Sequence, residues 1–174
     1  MTDIYTQSSI GAFQACSKLY DLRMNKELEA TDKPSYFVLG SLFHEAKEAW
    51  ASGKGRDIIA AKAVIDSADV KDEDTRCKVY AMMTAYHKMW KTFSIKYHAV
   101  EHEFMCKTPK GKWLAGICDA IVFHEGRWWI METKTAARLD DDYINRMQYQ
   151  RQPLMYVYAL KKLMGDNPLA DGAH

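Results

Sequence analysis

Residues 112–134 constrain this chain more than any other stretch. Lys112 to Phe123 and Arg127 to Lys134 are rich in β-branched and aromatic residues, and His124-Glu125-Gly126 lies between them. Two such runs around a glycine-containing turn read as a β-hairpin. With Glu125-Gly126 as a two-residue turn, His124 falls opposite Arg127 and Phe123 opposite Trp128. The same register sets Asp119 opposite Glu132, and Ile117 opposite Lys134. Alternation along the strands then collects Ile117, Asp119, Ile121, Phe123, Trp128, Ile130, Glu132 and Lys134 on one face. That face is apolar apart from two carboxylates and a lysine, which cluster at the end away from the turn.

Opposed like charges destabilise a sheet, and burying a carboxylate adds a desolvation cost. A divalent cation held by hard oxygen ligands answers both problems. A cluster of Lys134 salt-bridged to Asp119 and Glu132 is the other reading that the spacing allows. Repulsion between the two carboxylates also implies that Asp119→Asn costs the metal-free protein no stability.

The remaining pattern is helical on one side of this hairpin and mixed on the other. Ser8 or Ser9 can cap a first helix reaching about Arg23. Pro34 and Ser35 open a second, to about Ala51, with an apolar stripe through Leu39, Leu42, Phe43, Ala46, Ala49 and Trp50. A short helix over 56–67 and a longer one from Asp72 to about Phe93 follow. Tyr97 to Met105 reads as a strand, and Thr108-Pro109-Lys110-Gly111 as a turn. A last helix is expected from Tyr143 to Met164, kinked at Pro153. The order predicts an α/β (α+β) chain with one small mixed sheet flanked by helices. At 174 residues it reads as a single domain. Residues 1–95 are mainly helical, 96–135 form the sheet core, 140–165 a helix, and 166–174 a flexible tail.

Charge and composition exclude some classes. The 24 Lys+Arg against 23 Asp+Glu give a net charge of +1, so no strongly basic nucleic-acid binder is indicated. No apolar run approaches the roughly 20 residues of a membrane span. No basic start followed by an apolar run marks a secretory signal. Cys16, Cys77, Cys106 and Cys118 form no C-x-x-C pair, so reduced thiols and a cytoplasmic location are expected. His98, His102 and His124 have no zinc-site spacing with them. Lys107, Lys110, Lys112, Arg138, Arg146 and Arg151 could line a nucleic-acid path or simply be solvated.

Several segments, in chain order, carry a resemblance. Gly116-Ile117-Cys118-Asp119 and Glu132-Thr133-Lys134-Thr135 resemble the D…(D/E)-x-K core of the PD-(D/E)XK nuclease superfamily, in particular its RecB-type domain of recombination, CRISPR-associated and phage exonucleases. Gly40 to Glu45 resembles that family's G-x-x-x-H helix, and Gln152 to Tyr156 its Q-x-x-x-Y helix. Ser9 to Cys16, with Tyr20, is similar to its opening helix.

The resemblance implies a restriction-endonuclease-like core and a metal-dependent DNA nuclease. An exonuclease of recombination, repair or replication is the first reading. A structure-selective endonuclease and a non-cleaving DNA-binding module are the alternatives. His44, Asp119, Glu132 and the backbone carbonyl of Thr133 would hold Mg²⁺ or Mn²⁺. Lys134 would position or deprotonate the attacking water, with Gln152 and Tyr156 beside the substrate. DNA, with a recombination or replication protein, is the implied partner. Many relatives pair the first cysteine with three late ones in a [4Fe–4S] cluster. No cysteine follows Cys118, so no iron–sulfur cluster is expected. Glu101 and Glu103 share one face of the preceding strand, where either could supply an auxiliary carboxylate; solvated edge charges are the first reading for both.

Overall fold

The computed structural model describes residues 4–29, 34–52, 56–147 and 149–164. The expected flexible tail, 166–174, lies outside these residues. A short strand β1 (Ile4–Tyr5) leads into helix α1 (Gln7–Ala15). Thr6 caps α1 by a reciprocal arrangement in which its hydroxyl accepts from Ser9 N–H and Ser9 Oγ accepts from Thr6 N–H. The first helix therefore starts earlier than the serines suggested. It also stops earlier, because Cys16 is extended, with φ −167°. A short helix α2 (Ser17–Tyr20) and a π-helical turn over Asp21–Asn25 complete the segment.

Helices α3 (Ser35–Ala51), α4 (Ile58–Ser67) and α5 (Glu73–Trp90) follow close to their expected bounds. Asp57 caps α4 and Asp72 caps α5, each accepting two backbone N–H bonds. The three helices enclose a core of Leu42, Phe43, Ala46, Trp50, Ala61, Ile65, Val79 and Met83. Trp50 Nε1 donates to His87 Nδ1 at 3.0 Å, so the buried indole is satisfied.

Strands β2 (Lys96–Lys107), β3 (Trp113–His124) and β4 (Arg127–Met131) form the sheet with β1. β2 runs antiparallel along one edge of β3. The other edge is shared. β1 pairs in parallel with Trp113 and Leu114, and β4 pairs antiparallel with Ala120 to His124. The sheet is therefore mixed, as expected. Glu125 and Gly126 have φ of 49° and 78°, the two positive values a two-residue hairpin turn of type I′ requires. The register from His124–Arg127 to Ala120–Met131 is the expected one.

Three expectations are corrected. First, β4 ends at Met131 rather than Lys134. Thr133 N–H donates to Asp119 Oδ2 at 2.8 Å, so a side chain takes the donor that a longer ladder would have used. Second, the long last helix is two helices, α6 (Asp141–Met147) and α7 (Arg151–Met164). Pro153 sits in the first turn of α7, where a missing N–H costs nothing, so the proline sets a helix start rather than a kink.

The third correction concerns the faces of the sheet. Helices α3–α5 cover one side, where Tyr97 and Val100 pack. Helix α7 covers the other, through Tyr156, Ala159 and Leu160 against Phe104, Cys106, Cys118, Ile121 and Ile130. Cys118 and Ile121 lie three residues apart yet share the α7 side, which strict alternation forbids. The break falls at Asp119 and Ala120, beside Glu101, whose φ is +46°. Glu101 lies between the pairs Val100–Ala120 and His102–Cys118 and is itself outside the ladder. Asp119 therefore faces α3, and does not share a face with Ile121, Ile130 and Trp128.

Gly116 shows how tightly α7 is seated. A Cβ there would stand 2.8 Å from Phe104 Cζ and 3.1 Å from Tyr156 Cε1. Gly116→Ala is expected to destabilise the protein by about 1–3 kcal/mol through overpacking. Gly11, in α1, has nothing within 4 Å of that position. Gly11→Ala should stabilise it by roughly 0.5–1 kcal/mol. Urea denaturation of both variants checks the contrast, and equal effects would contradict this packing.

Candidate metal centre

Three segments converge on one side of the sheet: α3, the middle of β3 with its β2 neighbour, and the chain after β4. Gly40 faces the last of these segments: a Cβ there would lie 3.1 Å from Thr135 Oγ1, so that hydroxyl would have to give by a few tenths of an ångström. His44 and Lys47 follow one turn and nearly two turns later on α3.

His44, Glu101 and Asp119 each offer one ligand atom, and the three atoms lie within 4.8 Å of one another. His44 Nδ1 is 3.4 Å from Asp119 Oδ2. Burial holds the imidazole below its ordinary pKa, against the pull of the Asp119 carboxylate and a hydrogen bond with the Thr133 backbone. A histidine kept neutral is a competent metal ligand. Burial raises the Glu101 carboxyl, and the Asp119 charge raises it further. Glu101 Oε1 is buried without a hydrogen-bond partner. A cation held among these groups answers that orphaned oxygen, so the donor set fits a divalent metal. Glu101 thus takes the second of its two expected readings, a carboxylate added to the cluster rather than a solvated strand charge. Glu103 is exposed.

Lys47 is the group that the motifs did not indicate. It is only 3% exposed. Its ammonium is ion-paired with Asp119 Oδ2 and donates to Thr133 Oγ1 at 3.0 Å. Its placement is legible in part: Lys47 is three residues from His44 and lies within the stripe of Phe43, Ala46 and Trp50. The nearest charge to Asp119 is therefore positive, and the expectation that Asp119→Asn costs no stability is corrected.

Glu132, Lys134, Gln152 and Tyr156 form a second, adjoining group. Lys134 Nζ donates to Glu132 Oε1 at 2.5 Å and to Gln152 Oε1 at 2.8 Å. Gln152 Nε2 is 2.8 Å from Glu132 Oε1 and 2.7 Å from Tyr156 Oη. Burial raises the Glu132 carboxyl, and the Lys134 hydrogen bond opposes that rise. Among the described residues, Glu132 Oε2 is the other buried carboxylate oxygen without a partner. The Tyr156 phenol is pushed up to about 12 by burial. The structure thus brings His44, Asp119 and Glu101 together, and Glu132 with Lys134, Gln152 and Tyr156. Thr133 joins both groups through its backbone. Lys107, Lys110, Lys112, Arg138, Arg146 and Arg151 do not line the groove beside His44 and Lys134.

Two stability experiments follow. Lys47→Met leaves Asp119 buried without its cation, and Asp119→Asn strands Lys47. Each should cost about 3–5 kcal/mol in EDTA, the usual effect of breaking a buried pair from one side. The double variant should cost clearly less than the sum. Urea denaturation of all four proteins in EDTA measures this, and strict additivity would contradict the pair.

The second experiment uses pH. Glu101 and Glu132 titrate above the ordinary glutamate value of 4.5 in the folded protein. The folded state then binds more protons than the unfolded one between the two values. Their contribution to stability falls as pH rises through that window. In EDTA, Glu101→Gln should match wild type below the window and become more stable than wild type above it. A difference that is constant with pH would contradict the burial of this carboxyl.

Comparison with known proteins agrees with the chemistry of the site. The family model of the PD-(D/E)XK nuclease superfamily matches residues 5–173. Among curated proteins, no significant match is found.

Proposed function

The chain belongs to the PD-(D/E)XK nuclease superfamily, whose members are metal-dependent nucleases, and on that premise we propose that it is a deoxyribonuclease of RecB-like type, acting as an exonuclease in DNA recombination, repair or replication. The observation that carries this reading is the convergence of His44, Glu101 and Asp119 within 4.8 Å, beside the Lys134–Glu132–Gln152 group. Among the described residues, no helix is long and apolar enough to cross a membrane.

In this reading His44, Asp119, Glu132 and the Thr133 carbonyl hold Mg²⁺ or Mn²⁺, with Glu101 as a further ligand. When bound, such an ion polarises a phosphoryl oxygen and lowers the pKa of a coordinated water. His44 contributes a neutral donor because burial disfavours its protonation. Lys134 holds an ammonium at the mouth of the site, where it can orient the attacking water and offset charge on the phosphate. Gln152 fixes Lys134 and Glu132 through one amide, with its oxygen on the lysine and its nitrogen on the carboxylate. Tyr156 anchors that amide from the α7 core.

The test is digestion of end-labelled linear and circular single-stranded DNA with Mg²⁺, with Mn²⁺ and with EDTA. Linear DNA should be shortened from an end, circular DNA should survive, and EDTA should stop the reaction. Asp119→Asn and Lys134→Ala should each lower the rate by about 100-fold or more. Cutting of the circle would make the enzyme an endonuclease. Metal-dependent hydrolysis of neither substrate would overturn the proposal.

A further inference from the structure

A groove of about 1040 Å³ runs from the metal centre along the start of α3. Its wall includes His44, Glu101 and Lys134 of the centre, and Tyr36 and Phe37 from the first turn of α3. These two rings are 65% and 55% exposed. They pack on each other, with centroids 4.7 Å apart and planes tilted by 31°. Single exposed apolar side chains are ordinary. Two adjoining rings on the wall of the groove that holds the catalytic groups are a different matter.

The helix geometry ties the rings to the centre. Phe37 and His44 are seven residues apart on α3, nearly two full turns, so both project from the same face. At 1.5 Å per residue their backbones are roughly 10 Å apart along the axis. At the 3.4 Å rise of a stacked strand that is about three nucleotides, and fewer where an unpaired strand is extended. Gly40 lies between them and presents no side chain. Besides the rings, the groove carries Glu45, Glu48 and Glu101 against Lys78 and Lys134, with His44 between. Such a wall offers little to attract a polyanion by charge alone, so binding along it has to draw on the bases.

We propose that Tyr36 and Phe37 form a stacking platform for an unpaired nucleobase two or three positions from the cleaved phosphate, so that the enzyme acts on single-stranded DNA or frayed ends. The proposal rests on the nuclease reading given above and adds the strand state of the substrate. Aromatic rings stack on every base, so the platform gives no sequence preference. A base paired within a duplex keeps its own stack and cannot use it.

The test measures binding by fluorescence anisotropy in EDTA, with a labelled 12-nucleotide strand, the same strand with abasic sites at the four positions nearest each end, and a blunt duplex. Wild type should bind the normal strand about tenfold or more tighter than the abasic one. The double variant Tyr36→Ala/Phe37→Ala should bind both strands equally, at the abasic level, with its duplex affinity unchanged. Tyr36→Trp/Phe37→Trp should restore the preference. Thermal melting of each variant checks folding, which these exposed rings should barely affect. Equal binding of normal and abasic strands by wild type, or a preference that survives the double alanine change, overturns the platform. Metal-dependent cleavage measured on the same preparations separates the outcomes: if cleavage persists without base preference, only the platform fails, and if cleavage is absent, the nuclease reading fails with it.

Discussion

The ion pair between Lys47 and Asp119 organises everything around it. Each charge is buried, and each alone would cost several kcal/mol to bring out of water. Together they fasten α3 to the middle of β3. The same ammonium holds Thr133 by its hydroxyl, and the same carboxylate holds Thr133 by its backbone N–H. Three segments distant in sequence are thereby fixed to one point. The chain after β4 consequently leaves the ladder at Met131 and passes close to Gly40, with the Thr135 hydroxyl against it.

A second constraint acts from the β2 side. Glu101 has a left-handed backbone, which costs a non-glycine residue about 1–2 kcal/mol. The ladder resumes on either side of it with Val100 and His102. The distortion lets the two sheet faces exchange inward residues at Asp119 and brings the Glu101 carboxylate to His44. Backbone strain of this kind gathers at functional sites, where the surrounding structure over-determines it. Two buried carboxylate oxygens without partners, one on Glu101 and one on Glu132, mark where positive charge is wanted.

Much of this arrangement was legible in the sequence, and the gaps have physical causes. The hairpin turn, its register from Ala120 to Met131 and the bounds of α3 and α5 follow from local rules: turn chemistry, alternation, the proline before α3 and the aspartate that caps α5. Lys47 was missed because a lysine within an apolar helical stripe usually carries its head group to water, and its partner comes from 72 residues away. The sequence leaves Glu101 between two readings, because strict alternation fixes side-chain direction only while φ stays negative, and here φ is +46°. The early end of β4 depends on a side-chain acceptor, Asp119, that no strand pattern registers. Pro153 reads as a kink only if one helix is assumed on both sides of it.

The central claim is that the groups converging on Asp119 form a divalent-cation site that includes Glu101. The most direct measurement is calorimetric titration of Mn²⁺ into metal-free wild type and Glu101→Gln at neutral pH. Wild type should bind Mn²⁺ saturably, and the variant should bind about tenfold or more weakly while keeping its folded melting transition. No saturable binding to wild type, or equal affinity in the two proteins, would contradict the site as described.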